Sequence, residues 1–468
     1  MRRHYLSLVM STLLATGFSA VAADSSSPQE LIAKGEYLAI AADCGACHTS
    51  PKGGAAMSGG YGIQSPLGTI FASNITPSKV AGIGNYTEQD FARAVRQGIN
   101  KQGQYLYPAM PYTSYSRITD SDIQALYAYF MYGVAAVDVK APQTHLPFPF
   151  NIRSSMALWN TLFSNNKPFI AEESVSPQVN RGNYLVNALA HCDTCHTPRN
   201  ALMGQDDSKA LSGGSLGSWY APNITPDKTS GIGSWSGEDL ARYLKTGHLA
   251  GKAQAAGPMA EAVEHSLQHL SSADIEAMVA YLKQIPAVNT GGSQSRDSYG
   301  AASSTEQQMR GDQASAEPGW AVFSGSCANC HQANGEGTSY YPSLFHNSAT
   351  GADNPTNLVS AILNGVHRNV NGQQVDMPAF GPDANFSMQL TDRQIADVSN
   401  YVLTTFGNPK VSVTAAQVQQ IREGGPKPLL AQLTTPAVMI GIAAVVLLAA
   451  ILLGVWVSNR RKKNVARK

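Results

Sequence analysis

The chain has 468 residues, 43% of them hydrophobic, with 33 basic and 32 acidic side chains. A length of that order exceeds one comfortable domain and predicts about three globular units. Eight of the basic residues (Arg2, Arg3, Arg460, Arg461, Lys462, Lys463, Arg467, Lys468) sit at the two ends, so the middle is acidic by about seven charges, which argues against a nucleic-acid partner because phosphate binding draws on clustered Lys and Arg.

From the N-terminus, Arg2 and Arg3 lead into an apolar run over 6–18 and then the small residues Ala20, Val21, Ala22 and Ala23. That is the layout of a secretory signal, expected over 1–23 with cleavage after Ala22 or Ala23; an uncleaved anchor would need a longer apolar run. A first unit is expected over 24–135. It runs from Lys34-Gly35-Glu36-Tyr37-Leu38 to Cys44-Gly45-Ala46-Cys47-His48, then to Asn74-Ile75-Thr76-Pro77 and Gly82-Ile83-Gly84. Its last helix carries Ile123, Leu126, Tyr127 and Phe130 on one face, the spacing of an amphipathic helix against a core.

Residues 136–177 contain Pro142, Pro147, Pro149 and Pro168 around Trp159, Leu162 and Phe163, a connection too apolar to be a free linker. The second unit, 178–289, repeats the first: Arg181-Gly182-Asn183-Tyr184-Leu185, Cys192-Asp193-Thr194-Cys195-His196, Asn223-Ile224-Thr225-Pro226, Gly231-Ile232-Gly233, and a closing helix with Ile275, Met278, Val279 and Leu282. Matching offsets of this kind mark a duplication. Residues 290–317 are rich in Gly, Ser and Gln and predict a flexible linker. The third unit, 318–409, is more divergent, with Gly319, Cys327-Ala328-Asn329-Cys330-His331 and a closing helix bearing Ile395, Val398 and Val402. Gly35, Gly182 and Gly319 are candidates for a helix crossing that needs no side chain, and Tyr129, Tyr281 and Tyr401 share one offset in the closing helices. Asp120, Asp274 and Asp392 lie near those helices' positive ends. After a juxtamembrane stretch, 410–436, the run 437–457 lacks any charge and is stopped by a basic tail, 458–468. It is expected to be a transmembrane helix, with the tail cytoplasmic and all preceding units outside.

All six cysteines fall in the three C-x-x-C-H frames. This frame is the attachment signature of c-type haem: two thiols a turn apart form thioethers, and the adjacent histidine reaches the iron. Disulfides, zinc and thioredoxin-like exchange are the competing uses of such cysteines. The sixth iron ligands are expected to be Met110, Met259 and Met377, opposite His48, His196 and His331. Each methionine follows by twelve residues a glycine that ends a helical stretch, namely Gly98, Gly247 and Gly365. Prolines beside them (Pro108, Pro111, Pro258, Pro378) stiffen the presenting segment. His248 and His367 are alternative ligands without a counterpart in the first unit; His145, His265, His269 and His346 show no repeat. The carbonyl that orients each proximal imidazole is expected near Asn74, near Asn223 and in Pro342-Ser343-Leu344. No nucleophile elbow, Walker loop or dinucleotide fingerprint is present, so no catalytic residue is assigned. Gly59-Gly60-Tyr61-Gly62 and Gly213-Gly214 read as turns near the cofactor.

The three frames, the two Asn-Ile-Thr-Pro stretches with their Gly-Ile-Gly followers, Tyr107-Pro108-Ala109-Met110-Pro111-Tyr112 and Leu126-Tyr127-Ala128-Tyr129-Phe130 together resemble the cytochrome c subunit of membrane-bound periplasmic dehydrogenases. The resemblance covers nearly the whole mature chain. It implies a mainly α fold of three tandem cytochrome c-like haem domains plus a C-terminal transmembrane helix, three covalent haems, and an electron-transfer subunit that is not itself the enzyme. The implied partners are a catalytic dehydrogenase subunit carrying flavin or pyrroloquinoline quinone, a small third subunit, ubiquinone and membrane lipid. A tail helix leans the resemblance towards flavin partners of the gluconate 2-dehydrogenase type. A quinoprotein alcohol or aldehyde dehydrogenase, a terminal oxidase and a peroxidase with an open iron position are the alternatives.

Overall fold

Each repeat unit is built on the crossing of a leading helix and a closing helix. The computed structural model describes residues 27–51, 53–309 and 317–465; the expected signal segment lies outside them. In the first unit α1 (Pro28–Ala41) meets α2 (Asp120–Ala128). In the second α3 (Pro177–Tyr184) meets α4 (Ser272–Leu282), and in the third α5 (Pro318–Val322) meets α6 (Asp392–Phe406). A methyl group on Gly35 would lie 2.0 Å from the Ala125 carbonyl oxygen, one on Gly182 2.0 Å from that of Ala277, and one on Gly319 2.2 Å from that of Asp397. Only glycine allows backbones so close. The Cβ atoms of Tyr129, Tyr281 and Tyr401 flank the same three points at 2.7, 2.7 and 2.8 Å from the hypothetical methyl. Each closing helix starts on a hydroxyl cap: Thr119, Ser271 and Thr391 accept from the backbone N–H of Asp122, Asp274 and Gln394, satisfying donors that the helix itself leaves open.

The strands are short antiparallel hairpins: β1 (Gly62–Ser65) with β2 (Gly68–Phe71), β3 (Gly214–Leu216) with β4 (Trp219–Ala221), β5 (His248–Leu249) with β6 (Ala253–Gln254), and β7 (Val366–Val370) with β8 (Gln373–Met377). The rest is helix and turn.

Packing corrects the expectation of three tandem domains. Buried residues of the first two units, from Leu38 to Leu282, form one continuous core, to which the third unit adds Val370, while the third unit has a core of its own around Trp320, Phe323, Val359, Leu403 and Phe406. The fusion has a reciprocal design. The Tyr37 hydroxyl donates to the Asp274 carboxylate across the units at 2.7 Å, and the Tyr184 hydroxyl donates to Asp122 at 2.7 Å. Within each unit the same carboxylate meets a base: Lys34 on Asp122 at 2.7 Å, and Arg181 on Asp274 through two bonds of 2.8 and 2.7 Å. Equivalent residues exchanging equivalent contacts is the signature of an isologous interface, here built inside one chain. The third core also takes in Val413, Val418 and Ile421, the last two on α7 (Ala415–Arg422), whose Arg422 grips Asp392 at 3.0 and 2.9 Å.

The expected membrane span is corrected as well. α8 covers Pro436–Val465, but among the described residues no helix is long and apolar enough to cross a membrane. The first part of the helix, to Asn459, carries no charged side chain. The helix then continues through Arg460, Arg461, Lys462 and Lys463. With that finding go the transmembrane helix at 437–457, the single-pass inner-membrane placement with a cytoplasmic tail, and the lipid contact made through it.

Candidate cofactor sites

The three frames form short helical turns, Cys44–His48, Cys192–His196 and, after Cys327, Ala328–His331. In the first two units the residue before the first cysteine, Asp43 or His191, takes a left-handed backbone (φ 52° and 38°), which turns the chain out of the leading helix. In the third a π turn, Phe323–Cys327, does this. All six cysteines are free. Burial pushes the thiols of Cys44, Cys47, Cys192 and Cys327 up to about 12 and that of Cys195 up to about 11. Thiols held protonated exchange poorly, which speaks against a thioredoxin-like role. Among the described residues no group of three or more His, Cys, Asp or Glu is placed to hold a metal ion. A haem iron asks for less from the chain, because the porphyrin supplies its four equatorial nitrogens and protein only the axial atoms.

The histidines fit that demand. His48 Nδ1 lies 2.6 Å from the Ser73 carbonyl oxygen, His196 Nδ1 2.6 Å from that of Pro222, and His331 Nδ1 2.9 Å from that of Pro342. A carbonyl can only accept, so Nδ1 carries the hydrogen and Nε2 keeps its lone pair free for a metal. Burial lowers the pKa of all three rings, His196 to about 4, and keeps them neutral. Each histidine's own carbonyl accepts from a glycine N–H: Gly59 at 2.7 Å, Gly213 at 2.7 Å and Gly337 at 2.9 Å. These glycines stand at φ 75°, 106° and 69°, so the glycine pairs are turns that close over the attachment segment.

The glycines ahead of the methionines do end helices. Gly98, Gly247 and Gly365 cap Glu88–Gln97, Gly237–Thr246 and Thr356–Asn364 at φ 63°, 64° and 73°. Met110 sits in a loop clamped from both sides by the 136–177 connection. The Tyr107 hydroxyl donates to the Phe150 carbonyl at 2.8 Å under the Arg153 guanidinium, and the Tyr112 hydroxyl donates to Asn160 at 2.8 Å beside Trp159. Met259 is the second residue of the helix Pro258–His265, and Met377 ends β8.

A cavity of about 430 Å³ is lined by Cys192, Cys195, His196 and Met259 and also by His331 and Met377. The ligand candidates of the second and third units therefore share one continuous space; His48 and Met110 are not part of its lining. The alternative ligands are otherwise engaged: His248 with the Gln254 side chain, and exposed His367 with the Asp376 carboxylate. Two lining groups went unnoticed in the sequence. Burial lifts the Asp43 carboxyl well above the usual range, the Glu261 carboxylate adding to it, and Arg296 enters the cavity from the stretch expected to be a linker. Neither belongs to a repeated motif, so spacing could not have found them.

The chain resembles known proteins along most of its length. The cytochrome c family model matches residues 179–286 and 316–406, and the model for subunit III of cbb3-type cytochrome c oxidase matches 30–130. The chain is 47% identical over 449 residues to the fructose dehydrogenase cytochrome subunit of Gluconobacter japonicus, covering 93% of this chain and 92% of that one. It is 39% identical over 443 residues to the gluconate 2-dehydrogenase cytochrome c subunit of Pantoea cypripedii, with 90% and 96% covered. Against the cytochrome c subunit of the quinone alcohol dehydrogenase of Gluconacetobacter polyoxogenes it is 38% identical over 420 residues, with 87% of each covered.

Proposed function

The chain belongs to the family of cytochrome c subunits of dehydrogenases, and from that premise we propose that it relays electrons through three covalently bound c-type haems, from a catalytic dehydrogenase subunit to ubiquinone. Its role is electron transfer and not catalysis of the oxidation itself. The haems attach through Cys44 and Cys47, Cys192 and Cys195, and Cys327 and Cys330, in units spanning 24–135, 178–289 and 318–409. His48, His196 and His331, with Met110, Met259 and Met377, would hold the irons, and a thioether completing the coordination would raise the potential. A flavin-dependent sugar or sugar-acid dehydrogenase of the gluconate 2-dehydrogenase type is the favoured partner, with a small third subunit alongside.

The observation that carries this reading is one arrangement found three times: a C-x-x-C-H turn, an imidazole tied through Nδ1 to a backbone carbonyl, and a methionine at one fixed distance from a helix-ending glycine. The test is to purify the chain with whatever accompanies it and add fructose, gluconate or ethanol without oxygen. Reduction of the haems by one of these, with a flavin or quinoprotein partner in the sample, supports the relay. The oxidase-subunit match over 30–130 keeps one second reading alive: a copper–haem oxidase partner, with haems that no such substrate reduces, would replace the dehydrogenase relay with a terminal-oxidase one.

A further inference from the structure

The connection between the second and third units brings a single arginine to the shared cavity. Its backbone is wedged against the third unit: a methyl on Gly351 would lie 1.9 Å from the Arg296 carbonyl oxygen, and one on Gly300 1.8 Å from that of Phe406. Tyr299 between them is buried. From that anchorage the Arg296 side chain crosses to the second unit. Nη1 donates to the Ser230 carbonyl at 2.8 Å and Nη2 to the Asn223 carbonyl at 3.3 Å, while the buried Nε has no partner. Asn223 directly follows Pro222, whose carbonyl holds His196.

The guanidinium thus stands one peptide away from the group that orients the second unit's imidazole, on the wall of the cavity that His196 and Met259 line. Two carbonyls accept from it but do not neutralise its charge, and a desolvated cation calls for an anion. Guanidinium is matched in shape to carboxylate.

We propose that Arg296 is a positioning residue for the second haem: it binds the carboxylate side chains of that haem and places a fixed positive charge beside its iron, raising its potential. This rests on the haem reading given above. A nearby cation favours the reduced, less positive iron, so the direction follows from Coulomb's law in a low-dielectric wall.

The test is a potentiometric titration of the full chain in its complex, resolving the three haems, with haem content counted by intact mass in parallel. The second haem is identified as the component lost in the Cys192→Ala/Cys195→Ala variant. In Arg296→Gln all three haems remain bound, the second midpoint falls, and the other two hold. Arg296→Lys, which retains the charge and protects the fold, moves the same midpoint in the same direction by less. Unchanged midpoints in either variant at full haem content, or three midpoints moving together, would overturn the proposal. Fewer than three haems in the unaltered chain would instead defeat the relay reading beneath it.

Discussion

The first two units and the third use the same helix crossing but join their neighbours in different ways. Units one and two share a core and exchange Tyr37–Asp274 and Tyr184–Asp122 contacts, whereas the third keeps a core of its own and meets the second around a shared cavity through polar contacts, among them buried Arg368 on the Ala255 carbonyl and Asn357 on the Tyr220 backbone. A shared core makes two repeats one cooperative body. A separate core joined by a polar boundary gives the third an unfolding transition of its own.

The sharpest way to break this comparison is at the crossings. Gly182→Ala puts a methyl 2.0 Å from a carbonyl oxygen, and its expected cost exceeds about 4 kcal/mol. Chemical denaturation should show the first two units lost together while the third survives; Gly319→Ala should do the reverse. Loss of all three units from either change would show that the cores are not independent. Next in size is ligation: Met259→Ala is expected to lower one haem potential by on the order of 0.1 V and open that iron to carbon monoxide, visible as one shifted component in three. An unshifted titration would remove Met259 from the iron.

Smaller effects probe the reciprocal interface. Tyr37→Phe and Tyr184→Phe each delete a hydrogen bond to a carboxylate and should cost about 1.5 kcal/mol each, read in denaturant as a weakened joint transition of units one and two. A shift confined to the third unit's transition would contradict the pairing. The smallest effect is in acid. Burial raises the Asp274 carboxyl, but its bonds from Arg181 and Tyr37 outweigh this and leave it below its ordinary value of 3.8. A depressed carboxylate stabilises fully above the unfolded value and stops doing so as pH falls through the folded one. Stability of the joint body should therefore decline below about pH 4, and Asp274→Asn should flatten that decline.

Local features were readable from the residues, because a repeat exposes them three times. Gly35, Gly182 and Gly319 stand at the crossings, the helix-ending glycines cap where expected, and the segments at Asn74, Asn223 and Pro342 do supply the imidazole-orienting carbonyls, though only coordinates single out Ser73, Pro222 and Pro342. What could not be read was anything decided between repeats. Tyr37 and Asp274 are 237 positions apart, and each looks like an ordinary helix residue in its own unit, so the merging of two cores left no periodic trace. Arg296 was hidden by composition, since a Gly- and Ser-rich stretch reads as solvent-exposed chain whether or not one of its residues is anchored. The C-terminal helix shows the opposite failure. Its hydropathy pattern was legible, but the described helix does not meet the length and apolarity of a span.

The most direct measurement of the central claim is the intact mass of the purified chain. The account predicts a single species carrying three haems, one on each C-x-x-C-H turn, lost singly when Cys44 and Cys47, Cys192 and Cys195, or Cys327 and Cys330 are replaced by alanine. A purified protein with no covalent haem, or with fewer than three, would contradict it.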